Sequence, residues 1–247
     1  MSLANTPIIS PERDTLSAFF SAVDARLAAF GLEGHVRDTW SGLRAFWEAC
    51  GYHFFEGYTE EANPDGFWLD IRKDGRTIAS GGGFPIVPLE TLREHLEVAG
   101  LTADPADVWV TEGEARTACE AIRGTTVFTG AIAVDPDHCG TALSDALVHK
   151  LIPPAIRAIG MARWSAPHYV FFVKEGRRVA ERFRAEHTPV PRVSWYRKPE
   201  DAPAEARDNP ANWTLQNHHV LGYSSPAFVL ERCREVIRSQ SQVSSTR

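Results

Sequence analysis

The sequence predicts a mixed α/β domain of the α+β type, and three observations lead there. Apolar residues recur at helical spacing up to Cys50, run or alternate at strand spacing from Gly66 onward, and the two patterns then take turns to the C-terminus. The expected order is helix, helix, hairpin, strand, turn, helix, strand, helix, hairpin, helix.

Ser10-Pro11 reads as an N-cap followed by a proline at the first helical position. Leu16, Phe19, Phe20, Val23, Leu27 and Phe30 then repeat on one face until Gly31. A second helix is expected from Thr39 to Cys50, with Trp40, Leu43, Phe46, Trp47 and Cys50 as its buried stripe. Phe67 to Arg72 and Arg76 to Ser80 form a hairpin about the Lys73-Asp74-Gly75 turn. Gly81-Gly82-Gly83 is followed by Pro85 and Pro88 instead of a helix, so a bulge or strand crossover is expected there in place of a phosphate loop. A short helix from Leu89 to Val98 and an irregular connection around the Val108-Trp109-Val110 strand fragment come next.

Thr125 to Val134 is rich in β-branched and apolar residues and ends at Asp135-Pro136-Asp137, a strand stopped by a proline turn. Beyond Gly140 a helical stripe of Leu143, Ala146, Leu147, Leu151, Ile152 and Ile156 runs to Gly160, with Pro153-Pro154 kinking or splitting it. Tyr169 to Val173 is a second apolar strand, followed by a polar helix from Glu175 to about His187. Val190 to Arg197 and Trp213 to Leu221 form a last hairpin across a Pro- and Ala-rich surface loop. Ser225-Pro226 opens a closing helix, and the tail after Ser239 is expected to be disordered.

A net charge of −6 and the absence of any long Lys/Arg run argue against nucleic acid and against anionic membranes as partners. No apolar run approaches the roughly 20 residues that cross a bilayer, and the N-terminus does not read as a secretory signal, which points to a cytoplasmic protein. Cys50, Cys119, Cys139 and Cys233 show no CxxC spacing and the histidines no HExxH, so neither a disulfide framework nor a metal is expected.

One point in this plan has a physical reason to hold phosphate: Val134 to Ser144. A helix start leaves about four N–H groups without internal partners and carries roughly half a positive charge, so an anion can be held without a side chain. Val134-Asp135-Pro136-Asp137-His138-Cys139-Gly140-Thr141-Ala142-Leu143-Ser144 resembles the acyl-CoA pyrophosphate loop of the GCN5-related N-acetyltransferase (GNAT) superfamily, whose form is roughly V-x-P-x-Y-R-G-x-G-I-G. Val134, Pro136 and Gly140 match and Leu143 keeps apolar character. Cys139 replaces the basic or glutamine position, and Ala142 and Ser144 replace glycines. The same stretch also fits an ordinary strand-to-helix connection.

The resemblance covers about residues 39–221. It implies a central mixed, mostly antiparallel sheet flanked by helices, with residues 1–38 and 222–247 as helical additions. It also implies acetyl-CoA or another acyl-CoA as co-substrate, its pantetheine bonded by the strand edge at Ile132 to Val134 and its diphosphate by the amides of Cys139, Gly140, Thr141, Ala142, Leu143 and Ser144. The acceptor would be a small-molecule or peptide amine, and a homodimer is open. In the family's next helix, Ala180 matches N-x-x-A-x-x-x-Y, whereas Arg177 stands for the asparagine and Arg184 for the tyrosine credited with protonating the thiolate.

Arginine stays charged near neutral pH and cannot be that acid, but Arg184 could stabilise charge developing on sulfur. Arg177 is a candidate for the 3′-phosphate or adenine end. Cys139, near a helix start, is either a reactive thiol or a small loop filler. Candidate general bases are Glu112, Glu114, Asp70 and His168, each equally a surface or capping residue. A non-catalytic acyl-CoA-binding module and a protein-interaction domain using Trp195 and Trp213 stand as alternatives.

Overall fold

The computed structural model describes residues 2–88, 90–175, 185–186, 189–200 and 202–244, with side chains to residue 240. Eight strands form one sheet: β1 (Glu33–Arg37), β2 (Phe67–Lys73), β3 (Arg76–Ile86), β4 (Asp107–Thr111), β5 (Thr126–Val134), β6 (His168–Lys174), β7 (Val190–Arg197) and β8 (Thr214–Ser224). Their order is β1-β2-β3-β5-β6-β8-β7-β4, and every neighbouring pair is antiparallel except β5 and β6. Helices α1 (Arg13–Ala29), α2 (Ser41–Ala49), α3 (Leu92–Val98), α4 (Gly113–Ala121), α5 (Ala142–Ala146), α6 (Ile152–Trp164) and α8 (Pro226–Ser244) flank it, with a single turn, α7 (Ala204–Arg207), between β7 and β8. The class is therefore mixed α/β, with a mostly antiparallel sheet between helical layers and added helices at both ends.

The sheet has a core on each face. One joins Leu16, Phe19, Phe20, Leu27, Phe67, Ile156, Ile159, Tyr169 and Cys233, so α1, α6 and α8 share it. The other is aromatic: Trp40, Phe54, Tyr58, Trp68, Phe84, Trp109 and Phe128, under α2, α3, α4 and the segment following α2. A sheet apolar on both faces explains why β5 and β6 read as nearly continuous hydrophobic runs rather than alternations.

Several expectations change in detail. Helix α1 starts at Arg13 because Ser10 Oγ accepts from the Glu12 N–H (3.3 Å) in a turn that holds Pro11. Strand β3 runs on through Gly81–Gly83 to Ile86, and of the two alternatives expected there the ladder shows the bulge, as a register shift between Ser80 and Gly82, and not the crossover. The glycines answer crowding: a Cβ on Gly81 would lie 2.4 Å from Ile152 Cγ2, and one on Gly83 2.7 Å from the Phe128 carbonyl oxygen. The edge strand β1 and helix α4 have no counterpart in the expected order. The 198–212 connection contains α7, pinned by Lys198 to Asp208 (3.0 Å) and by Trp213 Nε1 donating to the Arg207 carbonyl (2.9 Å). Helix α8 continues to Ser244, past the expected end of order at Ser239. The helix expected from Glu175 to about His187 falls mostly outside the described residues.

The stripe from Leu143 onward is one helical path in three pieces. Between α5 and α6, Leu147–Leu151 form a π turn. Pro153 and Pro154 lack N–H donors and their rings would strike the carbonyls four residues back, so a wider turn at that point removes the clash without ending the helix. The path runs past Gly160 to Trp164, because Gly160 meets β5 closely: a Cβ there would lie 2.7 Å from Val127 Cγ1.

Candidate functional site

The two parallel strands β5 and β6 pair only over Thr126↔His168, Val127↔Tyr169 and Phe128↔Val170. Beyond that point β5 stays with β3 as far as Val134↔Ala79, and β6 stays with β8 as far as Lys174↔His219. The sheet is thus forked at its centre, and the two facing strand edges are unpaired with each other. At the apex the buried Thr129 hydroxyl donates to the Val170 carbonyl (3.2 Å), a side-chain bond where the ladder stops.

The fork edge of β5 is shaped by a bulge. Ala131 adopts a left-handed φ of 51°, uncommon for a residue with a Cβ. Its carbonyl accepts from Ser80 Oγ (2.8 Å), which in turn accepts from Trp47 Nε1 (3.1 Å), and its backbone also bonds the buried Tyr58 hydroxyl. These contacts over-determine a strained residue, the usual condition for such strain to persist. Past the bulge, the Asp135 N–H donates to the Ile78 carbonyl (2.8 Å), which sets the alternation: Ala133 turns its backbone to β3, and Ile132 and Val134 turn theirs to the fork. The Val134 carbonyl is taken, accepting from the Tyr52 hydroxyl (2.7 Å), with Cys139 Sγ 3.7 Å away. Burial and the neighbouring Cys139 push the Tyr52 hydroxyl up to about 12, so it is a neutral donor here.

The loop from Val134 to Ser144 is tightly turned. Asp135 accepts from the Asp137 N–H (3.0 Å), and Cys139 N–H donates to the Pro136 carbonyl (3.1 Å). Gly140 takes φ 74°, and Thr141 caps α5 by accepting from the Ser144 N–H (3.2 Å). Among the described residues nothing accepts from the N–H groups of Gly140, Ala142 and Leu143, and Gly140, Thr141 and Ala142 are exposed. The cap has used the Ser144 amide, and the N–H groups of Ala142 and Leu143 at the helix start and of Gly140 before it have no acceptor among the described residues. Charge in the loop is acidic: Asp135, nearly buried, pairs with Arg76 (3.0 Å), and Asp137 is exposed. A cleft of about 420 Å³, lined among others by Phe46, Cys50, Arg76, Asp135 and Asp137, opens beside it.

The proposed bases do not gather at the fork. Asp70 is fully buried between Arg72 (2.8 Å) and Arg37 (3.2 Å) and accepts from the Thr77 hydroxyl (2.8 Å), on the β1–β2 side of the sheet. Glu112 and Glu114 are exposed at the start of α4, beyond the far edge strand β4. His168 stands at the closed end of β5 and β6, opposite Thr126, where burial lowers its pKa. Arg177 and Arg184 lie outside the described residues. Among the described residues no group of three or more His, Cys, Asp or Glu could hold a metal ion, and no helix is long and apolar enough to cross a membrane.

Sequence reasoning missed the residues that shape the fork: Tyr52, Ser80, Tyr58 and Thr129 act through contacts with no local signature. Nor does any local pattern single out His219 of β8. Its ring is half-buried and bonds the Val193 backbone, and burial drives it down to about 4, leaving it neutral.

No family model and no curated protein matches the sequence. Among solved structures, the chain is similar to a spermidine N-acetyltransferase chimera from Vibrio cholerae and hSSAT (8% identity, TM-score 0.40, covering 80% of this chain and 98% of that one). It is also similar to the ribosomal-protein-S18-alanine N-acetyltransferase from Escherichia coli (10% identity, TM-score 0.37, 78% and 93%). A third is a putative acetyltransferase from Salmonella typhimurium with its cofactor acetyl-CoA (11% identity, TM-score 0.31, 88% and 92%).

Proposed function

We propose that this protein is an N-acyltransferase that moves an acetyl or other short acyl group from acyl-CoA to an amine. The observation that carries the reading is the fork between β5 and β6, joined to amides without an acceptor among the described residues at the start of the helix that follows β5. The unpaired strand edge at Ile132 suits the amide groups of a pantetheine arm as a substitute strand, and the N–H groups of Gly140, Ala142 and Leu143 suit a diphosphate. Cys139 and Ser144 serve the loop by packing and capping. Arg177 and Arg184 enter as further candidates for phosphate contact and for charge on the leaving sulfur.

With the acyl-CoA in the fork, the amine nitrogen attacks the thioester carbonyl carbon, the C–S bond breaks, CoA leaves as thiolate, and the nitrogen gives up a proton. Holding both reactants in one cleft supplies the proximity.

A non-catalytic acyl-CoA-binding module is the second reading, favoured by the acidic loop and by the Tyr52 hydroxyl on the Val134 carbonyl. Calorimetry with acetyl-CoA and a thiol-release assay over an amine panel separate them. Binding with turnover supports the transferase, binding without turnover supports the module, and no binding sinks both.

A further inference from the structure

We propose that the aromatic cluster of Trp109, Phe172, Trp195 and His219 is an acceptor subsite beside the fork, and that it takes a flat, uncharged aryl amine bearing a hydrogen-bond acceptor. The chemistry assigned to that amine rests on the acyltransferase reading; its binding does not.

The cluster reaches the apex through Phe172 and extends from there under β8, β7 and β4. Phe172 is two residues beyond Val170, where β6 leaves β5, and its ring meets Phe128 of β5 edge-on at 5.4 Å. Trp109 of β4 touches Phe172 (5.6 Å), stacks on Trp195 of β7 (5.8 Å, 6° between planes) and touches His219 of β8 (5.4 Å). Four strands thus send rings to one place.

Three polar atoms of these rings are buried with no partner among the described residues: Trp109 Nε1, Trp195 Nε1 and His219 Nδ1. A buried polar group left unsatisfied is costly, and phenylalanine or leucine at these positions would avoid it while filling the same space. Two of the atoms are donors, and the third is an acceptor while the other imidazole nitrogen serves the Val193 carbonyl. A ligand that completes the set needs an oxygen for the indoles and an N–H for the imidazole.

Charge narrows the class further. No carboxylate belongs to the cluster, burial keeps His219 neutral, and Lys174 and His218 act against additional positive charge there. A polyamine would enter as a cation with no counter-ion, whereas an aryl amine is uncharged at neutral pH. Phe172, Trp195 and His219 are only half-buried, so rotation of these outer rings admits the ligand. As the amine attacks the thioester, a C–N bond forms, the C–S bond breaks, and the amine's proton passes to His219 Nδ1 and on to the departing thiolate or solvent.

The test uses the full chain labelled with nitrogen-15. Its seven tryptophans give seven indole N–H signals, and Trp109→Phe and Trp195→Phe assign the two of interest. Added 4-aminobenzamide shifts both signals downfield, and spermidine at the same concentration shifts neither. In a thiol-release assay with acetyl-CoA, kcat/KM for 4-aminobenzamide exceeds that for spermidine at least tenfold. Trp195→Phe raises the KM for the aryl amine about tenfold with acetyl-CoA affinity unchanged. His219→Gln lowers kcat about a hundredfold, within the usual range for a lost acid–base group, at unchanged melting temperature. Indole signals unmoved by 4-aminobenzamide, or a preference for spermidine, overturn the subsite. Shifted signals without acetyl-CoA binding keep the subsite and overturn the acyltransferase reading instead.

Discussion

Thr129 and His219 show how single side chains set the state of the fork. The Thr129 hydroxyl is the donor the Val170 carbonyl finds where the β5–β6 ladder ends, and both residues are buried. Thr129→Val keeps the shape and removes the donor, so it should destabilise the protein by about 1–3 kcal/mol, measured as a fall in the urea midpoint. His219 makes a pH-dependent contribution. Its folded pKa of about 4 lies below its ordinary value, so the unfolded chain binds a proton first as pH falls. The stability tied to the neutral ring is fully present above about pH 6.5 and is lost as pH falls from there towards 4. Between those limits the natural chain should lose on the order of 3 kcal/mol more than His219→Gln, since each pKa unit is about 1.4 kcal/mol. Equal losses in denaturant titrations at the two pH values would refute the burial argument.

The helical path from α5 to α6 joins the fork to the rest of the fold. Its start carries amides without an acceptor among the described residues, its π turn absorbs Pro153-Pro154, and its later turns press on β5 at Gly160. A side chain at Gly160 has no room, because Val127 methyls lie within 2.7 to 3.3 Å of a Cβ position. Gly160→Val should therefore cost about 1–3 kcal/mol by overpacking, readable as a lower melting temperature. Gly140 is the opposite case: nothing lies within 4 Å of its Cβ position, but its φ is 74°. Gly140→Val strains only the backbone, by about 1–2 kcal/mol, and shifts the loop amides. Acetyl-CoA affinity should fall roughly tenfold, equivalent to about 1.4 kcal/mol, with the circular-dichroism spectrum retained.

For the whole molecule, the fork divides the sheet into a β1-β2-β3-β5 half and a β6-β8-β7-β4 half that meet through three residue pairs and the helices on both faces. A ligand lying in the fork as a substitute strand would bridge the halves, so it should stabilise the entire fold. At a hundredfold excess over Kd the linkage is about 2.7 kcal/mol, which for a chain of this size corresponds to a rise in Tm of about 5–10 °C. Acetyl-CoA should produce that rise and ATP should not.

Most of the element order was legible because it follows from local physics, whereas the edge strand β1 and helix α4 carried no such signal. The stripes of α1, α2 and α8, the Asp74-Gly75 turn, and the strand–proline turn–helix at Val134 to Leu143 each carry their signal within a few residues. The irregularity at the glycine run of β3 was legible, but its reason was not, because the glycines make room for Ile152 and for the backbone of Phe128, neither of which is near them in sequence. The same holds for the site. The strand–turn–helix loop from Val134 to Ser144 could be placed from residue pattern, but the bond from Tyr52 to Val134, the Trp47–Ser80–Ala131 chain and the contacts of Trp109 with Trp195 and His219 join residues far apart along the chain. The amino-acid order by itself determined the type and approximate place of most helices and strands, and it singled out Val134 to Ser144 as the loop to test for anion binding. Only tertiary packing decided that β5 and β6 part company after Phe128 and Val170, since strand separation depends on what fills both faces of the sheet.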